Sequence, residues 1–148
     1  FAEHKPLSFE ILDIDYFKQY NDRYGHQAGD DCVRAIAALI RQMESDQIFC
    51  ARYGGDEFVI IYSGMSAEEV CERAEKLRQD VMALQIEQRY TEGAFGVTIS
   101  QGICHDIPSN GNKNWDFLHV ADQTLYRVKR RGRNRLCMTD IHGREIEV

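Results

Sequence analysis

Apolar residues recur along this chain at two periods, and the changes of period divide it into elements. Leu7 to Asp13 alternates, placing Leu7, Phe9, Ile11 and Asp13 on one face, which predicts a strand that ends on an acid. Tyr16 to Tyr24 predicts a short helix stopped by Gly25. A second helix is expected after Gly29, where Val33, Ile36, Ala37, Ile40 and Met43 fall on one face at helical spacing. Ile48 to Tyr53 and Phe58 to Tyr62 are rich in β-branched and aromatic residues and predict two strands. Glycine takes positive φ twice at no steric cost, so Gly54-Gly55 predicts a two-residue hairpin loop between them. Ser66 and Glu69 make a capping box that opens a helix striped by Val70, Ala74, Leu77, Val81 and Leu84. Polar residues 85–94 lead to a strand from about Phe95 to Ile103. A polar loop with Ser109-Asn110-Gly111-Asn112 then precedes a long helix from about Trp115 to Arg131, striped by Leu118, Ala121, Leu125 and Val128. A short strand near Leu136 to Thr139 and a segment near Arg144 to Val148 follow. Helices interspersed with hairpin-linked strands imply an α/β sandwich around a mixed sheet.

Composition narrows the function classes. With 148 residues and 43% hydrophobic content, the chain suits one domain around one core. A net charge of −6 argues against a nucleic-acid backbone as partner. Basic residues nonetheless crowd at Arg127, Lys129, Arg130, Arg131, Arg133 and Arg135. Such a run is either a solvated helix face or, beside a nucleotide, a phosphate clamp. Cys32, Cys50, Cys71, Cys104 and Cys137 lie far apart without a CxxC pair, which suggests reduced thiols and a cytoplasmic location, not a disulfide framework or a zinc site. No signal peptide is present, and no apolar run approaches the ~20 residues of a membrane span. An anchor elsewhere in a longer protein is compatible with this.

The candidate chemistry begins at Arg52-Tyr53-Gly54-Gly55-Asp56-Glu57-Phe58. Acids are poor strand formers, so Asp56-Glu57 at a strand boundary suggests a hard cation nearby; the plainer alternative is a surface hairpin with a solvated acidic tip. Asp13 ends an otherwise apolar face, which is costly unless the acid is paired or binds a metal. Neighbouring strands lie ~5 Å apart, so if these two pair, Asp13 and Asp56 can share one or two Mg²⁺ ions, with water and phosphate oxygens completing the shells.

With these residues in place the chain resembles a GGDEF domain, the catalytic module of diguanylate cyclases. The signature stands at Gly54 to Phe58. Around it, in family order, are Asp13-Ile14-Asp15-Tyr16-Phe17-Lys18, Asn21-Asp22, Gly25-His26, Gly29-Asp30, Ser100-Gln101-Gly102, and Ala121-Asp122 with Leu125-Tyr126, Lys129 and Gly132-Arg133-Asn134. The resemblance covers roughly residues 7–137. The resemblance implies a ferredoxin-like nucleotidyl-cyclase palm that condenses two GTP into cyclic di-GMP with loss of pyrophosphate at a transient homodimer interface.

The resemblance also implies roles for residues. Asp13, Asp56 and the backbone carbonyl of Ile14 would hold two Mg²⁺, with Mn²⁺ as a substitute. Asp56 is the candidate proton acceptor for the 3′-hydroxyl, with water as the alternative. Glu57, which starts on the opposite face from Asp56, is a secondary ligand or orienter. Lys18 would neutralise phosphate charge, or else be an ordinary exposed helix lysine. The backbone N–H groups of Phe17 and Lys18 open a helix and can bind phosphate, and Lys129 and Arg133 form the distal clamp. Asp30 would accept the guanine N1–H and N2–H₂ pair, with Asn21 and His26 lining the same pocket; taken singly, Asn21 could be a helix cap and His26 a turn residue. Asp15 reads as a helix N-cap.

Three departures stand out, the mildest being the family's glycine-bearing strand, which reads Ser100-Gln101-Gly102 here. The family's product-binding Arg-x-x-Asp does not occur here, its nearest echo being Arg41-Gln-Met-Glu44 further upstream, so product inhibition through that site is not expected. The family's opening Asp-x-Leu-Thr-Gly-Leu-x-Asn-Arg segment is absent too, which suggests an N-terminally truncated single domain over residues 1–148. The rival reading is a GGDEF-like module that binds GTP without turnover, as a sensor or docking domain.

Overall fold

The computed structural model describes residues 5–88, 96–109, 111 and 114–148. Its elements run β1 (Leu7–Ile14), α1 (Phe17–Tyr24), α2 (His26–Arg41), β2 (Ile48–Arg52), β3 (Glu57–Ser63), α3 (Ala67–Ala83), β4 (Ile99–Asp106), α4 (Asn114–Arg130) and β5 (Leu136–Thr139). The sheet order is β2-β3-β1-β4-β5, antiparallel except where β4 and β5 run parallel. The first four strands with α1–α2 and α3 make a βαββαβ ferredoxin-like unit, and α4 is the crossover that returns the chain to β5. This is the expected α/β sandwich with a mixed sheet.

Period-two alternation sorts β1 between two cores. Leu12 and Ile14 join Val33, Ile36, Ile40, Val70, Ala74, Leu77 and Val81 from α2 and α3 on one side. Phe9 and Ile11 join Phe117, Val120, Ala121 and Leu125 from α4 on the other. Gly102 on β4 lets α4 close down on the sheet: a Cβ there would overlap the Leu125 amide nitrogen and the Ala121 carbonyl. The fit depends on glycine.

A buried acid lies in the first core. Glu10 is fully buried, accepting from Tyr62 Oη at 2.6 Å and from Gln101 Nε2 at 2.9 Å. Gln101 Nε2 also donates to the Ala74 carbonyl at 2.9 Å, which ties β1, β3, β4 and α3 together.

Some boundaries depart from expectation. The Ser66–Glu69 capping box forms as expected, with both reciprocal bonds present. The second helix, however, begins at His26, so Gly29 lies inside α2, not before it, and His26 is a helical residue, not a turn residue. The hairpin loop has four residues, Tyr53 to Asp56, and neither Gly54 nor Gly55 takes a left-handed φ. Its closure comes from elsewhere: the Tyr53 and Gly54 N–H groups donate to the Glu57 carbonyl at 2.8 and 3.2 Å. The Arg52 guanidinium also grips the Gly54 and Gly55 carbonyls at 3.1 and 2.6 Å. β4 starts at Ile99 and runs on to Asp106, while the expected strand start at Phe95, much of the 85–94 connector, Asn110 and Asn112 lie outside the described residues. The C-terminal segment adds a single bridge, Thr139 to Glu145. Among the described residues no helix is long and apolar enough to cross a membrane.

Candidate active site

β1 is the middle strand, and its C-terminal end carries Asp13 between β3 and β4, opposite Glu57 on one side and Ser100 on the other. Asp13 shares the face of Phe9 and Ile11, the face under α4, and is only 6% exposed. On α4 the sheet-facing positions Ala121 and Leu125 lead one turn further to Lys129, whose ammonium therefore emerges over the sheet end and pairs with Asp13 Oδ2. Asp13 Oδ1 is buried with no hydrogen-bond partner in the structure. Desolvation pushes the Asp13 carboxyl up to about 6; Lys129 opposes the shift, while the charges of Asp15 and Asp56 reinforce it.

Asp56 precedes β3, and its carbonyl accepts the Ile14 amide at 3.1 Å, so the β1–β3 ladder extends past its last named pair. Glu57 is the residue directly across from Asp13, but its carboxylate turns toward the loop, where a Cβ on Gly54 would lie 3.2 Å from Glu57 Oε1. Of the two hairpin acids, it is Asp56 whose charge acts on Asp13, alongside that of Asp15. Among the described residues no three His, Cys, Asp or Glu side chains cluster as a metal site. The set on offer is two carboxylates plus the Ile14 carbonyl. The unpartnered Oδ1 and the carboxylate crowding fit a hard divalent cation such as Mg²⁺.

Asp15 corrects the capping expectation. The residue before α1 is Tyr16, with φ 57° and no side-chain cap bond. Asp15 instead accepts from Ser100 Oγ at 2.6 Å, Thr98 Oγ1 at 2.7 Å and the Asn134 amide at 3.1 Å. Its role is to join β4 to the turn after α4. Arg133, in that turn, has φ 63°, lays its guanidinium 4.7 Å from the Tyr16 ring centroid, and donates to the Lys129 carbonyl at 3.4 Å. Lys129 is thereby brought to Asp13, and Arg133 to the Lys129 main chain and the Tyr16 ring. Lys18 points into solvent and pairs with Asp22 at 3.7 Å, at the exposed start of α1.

The other predicted residues meet at the α1–α2 corner. Gly25, at φ 91°, turns the chain and donates its N–H to the Asn21 carbonyl at 2.8 Å. Asn21 lies inside α1, so it does not cap a helix; its Oδ1 is buried without a partner. That oxygen and the Phe17 ring approach Gly29 so closely that a Cβ there would overlap Asn21 Oδ1 and touch the ring at 3.3 Å. His26 and Asp30 are exposed one helical turn apart on α2, beside this corner. This corner thus carries two oxygen acceptors, the Asn21 Oδ1 buried against Gly29 and the Asp30 carboxylate exposed on α2.

Glu10 and Arg78 organise the surroundings but were not singled out by sequence reasoning, and Asn134 was named there only as part of the Gly132-Arg133-Asn134 block. Glu10 breaks the apolar pattern of β1, a signal that its solvent-facing alternative obscures. Arg78 gave none, since a helix arginine is usually a surface residue.

The family pattern described as "Diguanylate cyclase, GGDEF domain" matches residues 1–135. A diguanylate cyclase of Vibrio cholerae is 35% identical over 140 residues, 90% of this chain and 40% of that protein. Diguanylate cyclase A of Treponema denticola is 35% identical over 136 residues, 91% of this chain and 36% of its own length. The chain thus spans well under half of these relatives. Among solved structures, the GGDEF domain of DgcB from Caulobacter crescentus, in complex with c-di-GMP, superposes with a TM-score of 0.79 at 35% identity, covering 93% of this chain and 78% of that one. The active GGEEF domain of a Vibrio cholerae diguanylate cyclase gives 0.74 at 34% identity, covering 90% and 83%.

Proposed function

The chain belongs to the GGDEF diguanylate cyclase domain family, and from that footing we propose that it condenses two GTP into cyclic di-GMP. The observation that carries this reading is the Asp13 carboxylate. It is buried at the end of the middle strand, with Lys129 on one oxygen, none on the other, and the Asp56 charge acting on it.

In this reading Asp13, Asp56 and the Ile14 carbonyl would hold Mg²⁺. When bound, the ion would neutralise charge at the α-phosphate and favour ionisation of the 3′-hydroxyl. The chain's own residues do the rest. Asn21 and Asp30 accept from the N–H edge of guanine, a donor pair that adenine lacks. Phe17 and Lys18 offer backbone N–H groups at the start of α1. Lys129 and Arg133 take the distal phosphates, and Lys18 supplies a further positive charge. The 3′-oxygen then attacks the α-phosphorus in line, the bond to pyrophosphate breaks, and the hydroxyl proton passes to Asp56 or to water. Two such displacements close the ring and release two pyrophosphates. One guanine pocket per chain means that two chains face each other, each presenting its 3′-hydroxyl to the other's α-phosphorus.

Asp56→Asn tests the acid assignment, because it removes charge at nearly constant volume. Product formation with GTP and Mg²⁺ is expected to vanish while the thermal melt is retained. Turnover within tenfold of the parent would exclude Asp56 from the chemistry.

A further inference from the structure

The turn that presents Arg133 is held in an unfavourable backbone conformation by residues outside the clamp. Gly132, Arg133 and Asn134 are consecutive, with φ of 116°, 63° and 50°. Non-glycine residues keep such angles only where their surroundings fix them. On one side the Asn134 amide donates to Asp15 Oδ2 at 3.1 Å and to Ser100 Oγ at 3.3 Å. On the other side Arg78, from α3, donates one nitrogen to Asn134 Oδ1 at 2.9 Å and to the Asn134 carbonyl at 3.3 Å. Arg78 is itself fixed by a two-pronged bond to Glu75, at 2.9 and 2.7 Å, and its side chain is only 16% exposed.

We propose that Arg78 and Asn134 are positioning residues for phosphate binding, acting through Arg133. The proposal rests on the reading of Arg133 as a phosphate ligand given above. A guanidinium recognises phosphate through a planar fork, so its usefulness depends on orientation as well as charge. The Arg133 side chain lies over Tyr16 and donates to the Lys129 carbonyl, and its direction is set by the backbone angles of the turn. Releasing Arg78 lets residues 133 and 134 relax toward ordinary φ and swings the fork away from its place beside Lys129. α3, whose core residues lie on the face of the sheet opposite α4, thereby gains a part in binding without touching the nucleotide.

The test is a mutant cycle on GTP affinity, measured calorimetrically with Ca²⁺ replacing Mg²⁺ to suppress turnover. The proteins are the parent, Arg78→Met, Arg133→Ala and the double variant. Arg78→Met should weaken GTP binding about tenfold in the parent background and less than about twofold where Arg133 is already alanine. Asn134→Gly provides a second route, since glycine suits the φ of 50° while removing the amide acceptor, and it should show the same dependence on Arg133. An Arg78→Met effect equal in both backgrounds, or absent from both, overturns the positioning role alone. A parent that binds no GTP overturns the functional reading and this proposal with it.

Discussion

Glu10 and Asp13 stand three positions apart on β1, face opposite cores, and are both raised chiefly by desolvation, to about 7 and about 6. Asp13 has the Lys129 ammonium as a neighbour, whereas Glu10 has only the Tyr62 hydroxyl and the Gln101 amide. A folded-state pKa above the unfolded value of 4.5 means that the native state binds the extra proton, so stability falls as pH rises from 4.5 through about 7. Glu10→Gln should therefore match the parent near pH 4 and exceed it by roughly 3 kcal/mol above pH 8, as read by denaturant unfolding. A constant difference across that range would show that Glu10 does not titrate on folding. Asp30→Ser should cost ~1.5–3 kcal/mol of GTP affinity and narrow the preference over ATP; an unchanged GTP-to-ATP ratio would remove Asp30 from the pocket. At this scale the acids that end strands were legible, because Asp13 violates an apolar face in a way that demands a partner. Glu10 was not legible, since its partners Tyr62 and Gln101 are 52 and 91 positions away.

Among the elements, α4 sets the geometry of the candidate site, because it carries Lys129 to Asp13. Its contact with β4 over Gly102 determines how closely Lys129 approaches Asp13. Gly102→Ala must push α4 off the sheet, since the clash is with backbone, and should lower unfolding free energy by ~2 kcal/mol and GTP turnover along with it. Gly55→Ala meets nothing within 4 Å and should leave stability within ~0.5 kcal/mol. Equal effects at the two positions would refute the close packing of α4. Apolar periodicity revealed the elements themselves, and the Ser66–Glu69 box fixed the start of α3. It failed where glycine serves packing in place of turning. Gly29 reads as the boundary before a helix but lies inside α2 and makes room for Asn21. Gly54-Gly55 looks like a two-residue turn but is held by the Arg52 guanidinium, a bond that local propensity does not encode.

At the scale of the whole molecule, the βαββαβ unit and the α4 crossover bring Lys129 to Asp13 at one end of the middle strand, where the proposed function needs the acids and the phosphate clamp. The motif order gave part of that convergence in outline, because Asp13 to Lys18 spans the β1–α1 boundary, Gly54 to Phe58 opens β3 and Gly132 to Asn134 follows α4, whereas Asn21, Gly29, Ser100 to Gly102 and Ala121 lie inside elements. The turn angles that aim Arg133 depend on α3 and β4 together and lay outside any local pattern. The proposed product is symmetric, and its formation would need two such ends facing each other. That requirement is tested by the rate of cyclic di-GMP formation from GTP and Mg²⁺, followed by mass analysis over a dilution series of the protein. The account predicts cyclic di-GMP as product and a rate that approaches second order in protein at the dilute end. Absence of cyclic di-GMP, or a specific activity that stays constant down to nanomolar protein in a preparation shown to be monomeric, would contradict it.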